Sequence, residues 1–161
     1  MKVLAYHITW GTYGTRLHGD PRGTVDRTHN QYKSPILRFD EHRWEEEKSK
    51  LKYPPVRFDI AKRTIVESMI PGVCVRGYWN FHACAAGKDH VHVILNSPNN
   101  PETIRQLRKR WLGQDLTTKY QPINQGSWWA ECGSIRWIND EEYLRQATDY
   151  VNRQRATPES R

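Results

Sequence analysis

The segment Asp89-His90-Val91-His92-Val93-Ile94-Leu95 constrains this chain more than any other. Its alternation puts His90, His92 and Ile94 on one face of an extended strand and Val91, Val93 and Leu95 on the other. The segment therefore reads as a short strand with one packed face. Two imidazoles at i and i+2 project side by side, so both can reach one divalent ion, and neutral imidazole is a common ligand of first-row transition metals. The competing reading is a pair of histidines on a solvated sheet face, and the motif alone does not separate the two.

The rest of the chain supplies partners for that strand. Leu4 to Tyr13 is rich in aromatic and β-branched residues and reads as a first strand. From Gly14 to Pro55 the pattern breaks down under Gly19, Pro21, Gly23, Pro35 and the Pro54-Pro55 pair. Apart from a helical segment over His42 to Leu51, this stretch (about residues 14–55) reads as a loop-rich insertion or binding arm. Arg16, Arg22, Arg27 and Lys33 make its first half basic. Asp59 is placed to cap a helix running to Met69, with Pro71-Gly72 as its stop. Val73 to Ala86 reads as extended, and Gly87-Lys88-Asp89 as a turn into the histidine strand.

Asn99 or Asn100 is placed to cap a helix over Pro101 to Lys119, with Ile104, Leu107, Trp111 and Leu112 on one stripe. Arg105, Arg108, Lys109 and Arg110 lie around its other sides, as candidate phosphate contacts or as a solvated face. Ser127 to Ile138 reads as a short hairpin turning at Gly133. Asp140 or Asn139 caps a last helix that carries Tyr143, Leu144, Ala147, Tyr150 and Val151. Helices alternating with antiparallel hairpins suggest one α+β domain over residues 1–161.

Composition bears on the partner. The formal net charge is +7, from 25 Lys and Arg against 18 Asp and Glu, which favours a polyanion such as nucleic acid. Seven Trp and eight Tyr exceed what so short a core needs and offer faces for unstacked bases, Trp128 among them. Cys74, Cys84 and Cys132 make no paired framework, which suits a reducing cytoplasm. The first residues turn polar too early for a signal peptide, and no stretch reaches the length of a membrane span.

Tyr150 and Gln154 stand four apart in the last helix and so share a face about one turn apart. Taken alone, Tyr150 reads more simply as an amphipathic core residue with its hydroxyl at the surface. With the histidine strand and its order along the chain, however, the Tyr-x-x-x-Gln segment resembles the single-tyrosine HUH transposases. Ile8-Thr9-Trp10-Gly11-Thr12-Tyr13-Gly14-Thr15 and Ser127-Trp128-Trp129-Ala130 resemble the REP-associated branch of that family. The chain departs from many relatives at Ala86-Gly87-Lys88-Asp89, where they carry a Met-Pro-Asn-like turn, and at Gln154, where REP-associated relatives carry Asn.

The resemblance implies a ferredoxin-like sandwich, with a central antiparallel sheet, the histidine motif on a strand and the catalytic tyrosine on the C-terminal helix. It implies Tyr150 as nucleophile and His90, His92 and Gln154 as ligands of a divalent ion, Mg or Mn. It also implies a transposase-like endonuclease and strand transferase acting through a 5′-phosphotyrosine intermediate. The substrate would be single-stranded DNA beside a hairpin of the REP-palindrome kind, with a homodimer possible. Two alternatives stay open. A non-catalytic nucleic-acid-binding module would keep the charge and aromatics without cleavage. A structural zinc site would gather His82, Cys84, His90 and His92 if the turn at Gly87 to Asp89 has three residues; a two-residue turn puts Cys84 on the opposite face from His92.

Overall fold

The computed structural model describes residues 2–15, 17, 39–120 and 127–156, with only the main chain of Cys132. The basic positions Arg16, Arg22, Arg27 and Lys33 lie outside the described residues. The elements, in chain order, are β1 (Ala5–Thr12), α1 (Glu41–Ser49), α2 (Ile60–Gly77), β2 (Asn80–Ala86), β3 (His90–Asn96), α3 (Pro101–Lys119), β4 (Trp129–Ile138) and α4 (Glu141–Arg153). The strands form one antiparallel sheet in the order β2-β3-β1-β4. None of the described helices is long and apolar enough to cross a membrane.

Alternation gives the sheet two apolar faces. On one, Ile8, Trp10, Val91, Val93 and Leu95 pack with Val66, Ile70 and Val73 of α2 and Ile104, Leu112 and Leu116 of α3. On the other, Ala5, Ala83, Ala85, Ile94 and Ile138 pack with Ala147 and Val151 of α4. The alanines of β2 matter here, because small side chains let a helix lie close to the sheet. The helix starts follow their caps: Asp59, Asn100 and Asp140 each accept a main-chain N–H of the first turn.

Three expectations are corrected. Helix α2 does not stop at Pro71-Gly72 but continues to Gly77, so Val73 to Gly77 is helical and β2 starts only at Asn80. Proline removes the N–H that would reach the Glu67 carbonyl one turn back. The Cys84 thiol donates to that carbonyl instead, at 3.5 Å, and the packed face of Val66, Ile70, Val73 and Cys74 holds the helix together. The helix ends where Tyr78 takes left-handed geometry (φ 57°) and the Trp79 indole lies over Gly77, leaving no room there for a Cβ.

Secondly, Ser127 to Ile138 is not a hairpin. Gly133 sits within the single strand β4, opposite Trp10, and a Cβ on it would fall 3.0 Å from Trp10 Cβ and closer still to the Thr9 carbonyl oxygen. This glycine serves close backbone approach rather than a turn. Thirdly, the basic sides of α3 are mostly not solvent-facing. Arg108 is fully buried, Arg105 donates to the Gly133 carbonyl, and Lys109 donates to the Ala130 and Glu131 carbonyls. Of the four, Arg110 alone is exposed. Trp128 is buried too, its indole N–H donating to Thr117 Oγ1, which removes it as a platform for bases.

Candidate active site

The sheet register builds the site. Residues opposite each other in an antiparallel pair share a face. Thr9 lies opposite His92 and Gly11 opposite His90, while Ala85 flanks His92 from β2. His7, two residues before Thr9, therefore joins the histidine face, and its partner on β4 is Arg136. His90, half-buried, and His92, at 8% exposure, have ring centroids 4.8 Å apart at 83°.

Each histidine of the motif has its Nδ1 engaged. His90 Nδ1 lies 2.8 Å from Asp89 Oδ1. With Nδ1–H donating to that carboxylate, Nε2 is the acceptor nitrogen of the ring, the state a metal ligand needs. His92 Nδ1 lies 3.0 Å from Thr9 Oγ1 and 3.1 Å from His7 Nε2. His7 is held well below the ordinary histidine range, at about 4, by burial first and by the Arg136 charge second. It is neutral at physiological pH.

Helix α4 brings Tyr150 to this cluster. Ala147 and Val151 seat the helix on Ala83, Ala85 and Ile94, and the intervening Tyr150 meets the His92 ring edge-on, with centroids 5.9 Å apart at 86°. The tyrosine keeps 44% of its surface exposed. At that exposure it is more open than the amphipathic core residue of the simpler reading, with its ring against His92. Gln154 is the exposed C-cap residue one turn later, and among the described residues no hydrogen bond joins it to the histidines. Glu67 secures the far end of this arrangement. Its buried carboxylate accepts the N–H of Ala86, just before the histidine hairpin, and the N–H of Ala156, just after α4.

The zinc alternative is overturned by register. Gly87 N–H donates to the His90 carbonyl, so Lys88-Asp89 is a two-residue turn, and Cys84 pairs with Val93 on the face opposite His92. Burial pushes the Cys84 thiol up to about 12, and His82 is exposed at an irregularity in β2. Among the described residues no three His, Cys, Asp or Glu side chains form a group able to cage a metal ion. An open groove of about 430 Å³ beside α3, between Lys109 and Trp129, shares no residue with the histidine face.

Sequence reasoning did not single out His7 or Thr9. The signal was present, since alternation in Leu4 to Tyr13 puts His7, Thr9 and Gly11 on one face. Which strand lies beside that face is a matter of sheet order, and sheet order is tertiary.

Comparison with known proteins adds a likeness only. No protein-family model and no curated protein matches the chain. One similar solved structure is that of "a putative transposase from deinococcus radiodurans r1", 16% identical, with a TM-score of 0.42, covering 98% of this chain and 95% of that one. A likeness of that degree transfers no chemistry from one chain to the other.

Proposed function

We propose that this protein is a metal-dependent enzyme that nicks and rejoins single-stranded DNA, of the single-tyrosine HUH type, with Tyr150 as its nucleophile. The observation that carries the reading is the meeting of an accessible phenol on α4 with the paired imidazoles of β3. The strand order β2-β3-β1-β4, with helices after β1 and β3, is that of a ferredoxin-like sandwich, in agreement with this type.

His90 and His92, each with its Nδ1 already engaged, suit a divalent ion such as Mg or Mn. With the Gln154 carboxamide they would leave positions for phosphate oxygens and water. When bound, the ion polarises the scissile phosphate and stabilises charge on the departing oxygen. Tyr150 Oη attacks phosphorus, the bond to the 3′-oxygen breaks, and a 5′-phosphotyrosine forms. An ordinary phenol, with a pKa near 10, is a weak nucleophile at neutral pH, so it needs such assistance. Attack by a 3′-hydroxyl on the phosphotyrosine reseals the strand. One phosphodiester is exchanged for another, so no nucleotide cofactor is required.

The insertion is rooted beside this chemistry. Tyr13, at its start, accepts from Val56 N–H, and Phe58 N–H donates to the Lys88 carbonyl in the turn before the histidines. A basic arm anchored there is suited to placing a DNA strand or its adjoining hairpin. Incubating the protein with a labelled hairpin oligonucleotide and Mg or Mn, then resolving covalent product on a denaturing gel, tests the reading. The wild-type chain should give an adduct, and Tyr150→Phe should give none while binding the oligonucleotide within a few-fold. A normal adduct from that variant would shift the role to Tyr143 or Tyr120. No adduct from the wild type would favour the non-catalytic binding module.

A further inference from the structure

Helices α2 and α4 pack on opposite faces of the sheet. The chain leaving α4 nevertheless reaches α2, because Ala156 N–H donates to the Glu67 carboxylate, 2.9 Å from Oε2 and 3.2 Å from Oε1. It does so past β2, which ends the sheet on that side among the described strands. Burial does most to raise the Cys84 thiol on β2, but the Arg155 charge lowers it and the Glu67 charge raises it, so both lie around that one side chain. Glu67 is itself fixed to β2 at two points. Its main-chain carbonyl accepts the Cys84 thiol, and Oε2 accepts Ala86 N–H at 2.9 Å. Arg63 Nε donates to the Ala86 carbonyl at 2.8 Å, so α2 takes both main-chain groups of that residue. A single oxygen, Oε2, therefore joins Ala86, four residues before His90, to Ala156, six residues after Tyr150.

Tyr150 lies in the last turn of α4, where carbonyls lack helical partners and helices fray. Ala147 and Val151 set the rotation of the helix, but Val151 is its last apolar seat; Asn152 is half-buried, and Arg153 and Gln154 are exposed. The N–H groups of Gln154 and Arg155 bond back into the same turn. Among the described residues, the hydrogen bond that ties this end to the rest of the protein is the one from Ala156 to Glu67. At 2% exposure the carboxylate is shielded from water, which strengthens a charge-assisted bond. We infer that Glu67 is a positioning residue for Tyr150: its carboxylate clasps the end of α4 to the root of the histidine hairpin and so sets the tyrosine against His92. The inference rests on the functional reading above for the reaction, while the placement of Tyr150 is measured without it.

The experiment uses the full chain. Nuclear Overhauser contacts between the Tyr150 and His92 rings, with amide exchange at Ala156, report the clasp in the absence of DNA. Adduct formation on the hairpin oligonucleotide with Mn²⁺, across oligonucleotide concentrations, separates the maximal rate from KM. The wild type should show the ring contacts and a protected Ala156 amide. Glu67→Ala should lose both and lower the maximal rate about 10–100-fold, the scale of a slightly misplaced reacting group, with KM within a few-fold. Ala156→Pro deletes the donor alone and leaves the bond from Ala86, so it should act alike and serves where Glu67→Ala does not fold. Glu67→Gln, whose carboxamide oxygen can accept both N–H groups, should restore the ring contacts and most of the rate. Ring contacts and rate unchanged in a folded Glu67→Ala or in Ala156→Pro overturn the inference. So does a Glu67→Gln as impaired as Glu67→Ala, which would assign the effect to charge. A wild type that forms no adduct would sink the parent reading instead, and the ring contacts and amide exchange would then decide the clasp.

Discussion

Arg108 lies with its guanidinium carbon 4.8 Å from the centre of the Trp10 ring, fully buried, and among the described residues none of its three nitrogens has a hydrogen-bond partner. Burial is the main cause that lowers its pKa to about 9, and the Arg105 charge adds to it. A cation whose folded pKa lies below its unfolded value weakens the fold wherever both states are charged. That cost is complete below about pH 9 and is relieved only as pH rises from there toward the ordinary arginine value. Arg108→Met should therefore stabilise the protein by about 1–4 kcal/mol in chemical denaturation at pH 7 and leave DNA affinity unchanged. A large destabilisation would show that the guanidinium has a partner in solution. The buried thiols of Cys74 and Cys84 have the opposite sign. Burial raises them to about 11 and 12, so their neutral form belongs to the fold, and stability is lost as pH climbs from about 9 through those values. In the native protein neither should react with a thiol reagent at pH 8, as peptide mapping after alkylation would show.

Helix α3 acts on β4 through side chains that in the sequence were candidates for phosphate contacts or a solvated face. Arg105 and Lys109 reach three carbonyls of β4, which among the described strands pairs with β1 alone. Removing either as alanine should cost about 1–2 kcal/mol, the scale of a lost charge-assisted hydrogen bond, measured by urea unfolding. Gly133→Ala should cost more than either, because its new methyl group meets backbone on β1 rather than the flexible end of a side chain. A Gly133→Ala protein of wild-type stability would mean that β4 can slide away from β1. Helix α4 shows how an element serves chemistry. Its apolar side is seated by Ala147 and Val151, and the rotation this fixes is what sets Tyr150 over His92.

For the molecule as a whole, the two sheet faces have separate work. One carries the large core with α2 and α3, and the other carries the histidines under α4. Because apolar packing holds the helices to both sheet faces, chelation with EDTA should leave the thermal midpoint unchanged while abolishing adduct formation; unfolding on chelation would restore a structural-metal reading. The net charge of +7 should make DNA binding weaken steeply with salt. The salt slope should not respond to Arg108→Gln and should respond little to Arg105→Gln or Lys109→Gln, since those side chains are occupied with the fold. Arg136→Gln, exposed and on the histidine face opposite His7, should reduce it by about 1. Anisotropy across a salt series checks this, and an unchanged slope for Arg136→Gln would place the phosphate track elsewhere.

Short-range signals carried much of this protein in its sequence. Alternation defined β1 and β3, cap residues marked three helix starts, at Asp59 outright and to within one residue at Asn100 and Asp140, and the spacing of Tyr150 within α4 put it beside residues that seat the helix. These depend on neighbours along the chain, where each residue type has a local preference. What the sequence could not decide depends on partners far apart in it. Pro71 reads locally as a stop, yet α2 passes through it because Cys84, 17 residues from Glu67, takes the orphaned carbonyl and a packed face supplies the rest. Gly133 reads locally as a turn, yet it is a point where two backbones meet. The basic residues of α3 read as a solvated face until β4 covers them. His7 meets His92 across 85 positions only because β1 lies beside β3 in the sheet, and strand order is set by the global packing of helices on both faces rather than by any local preference.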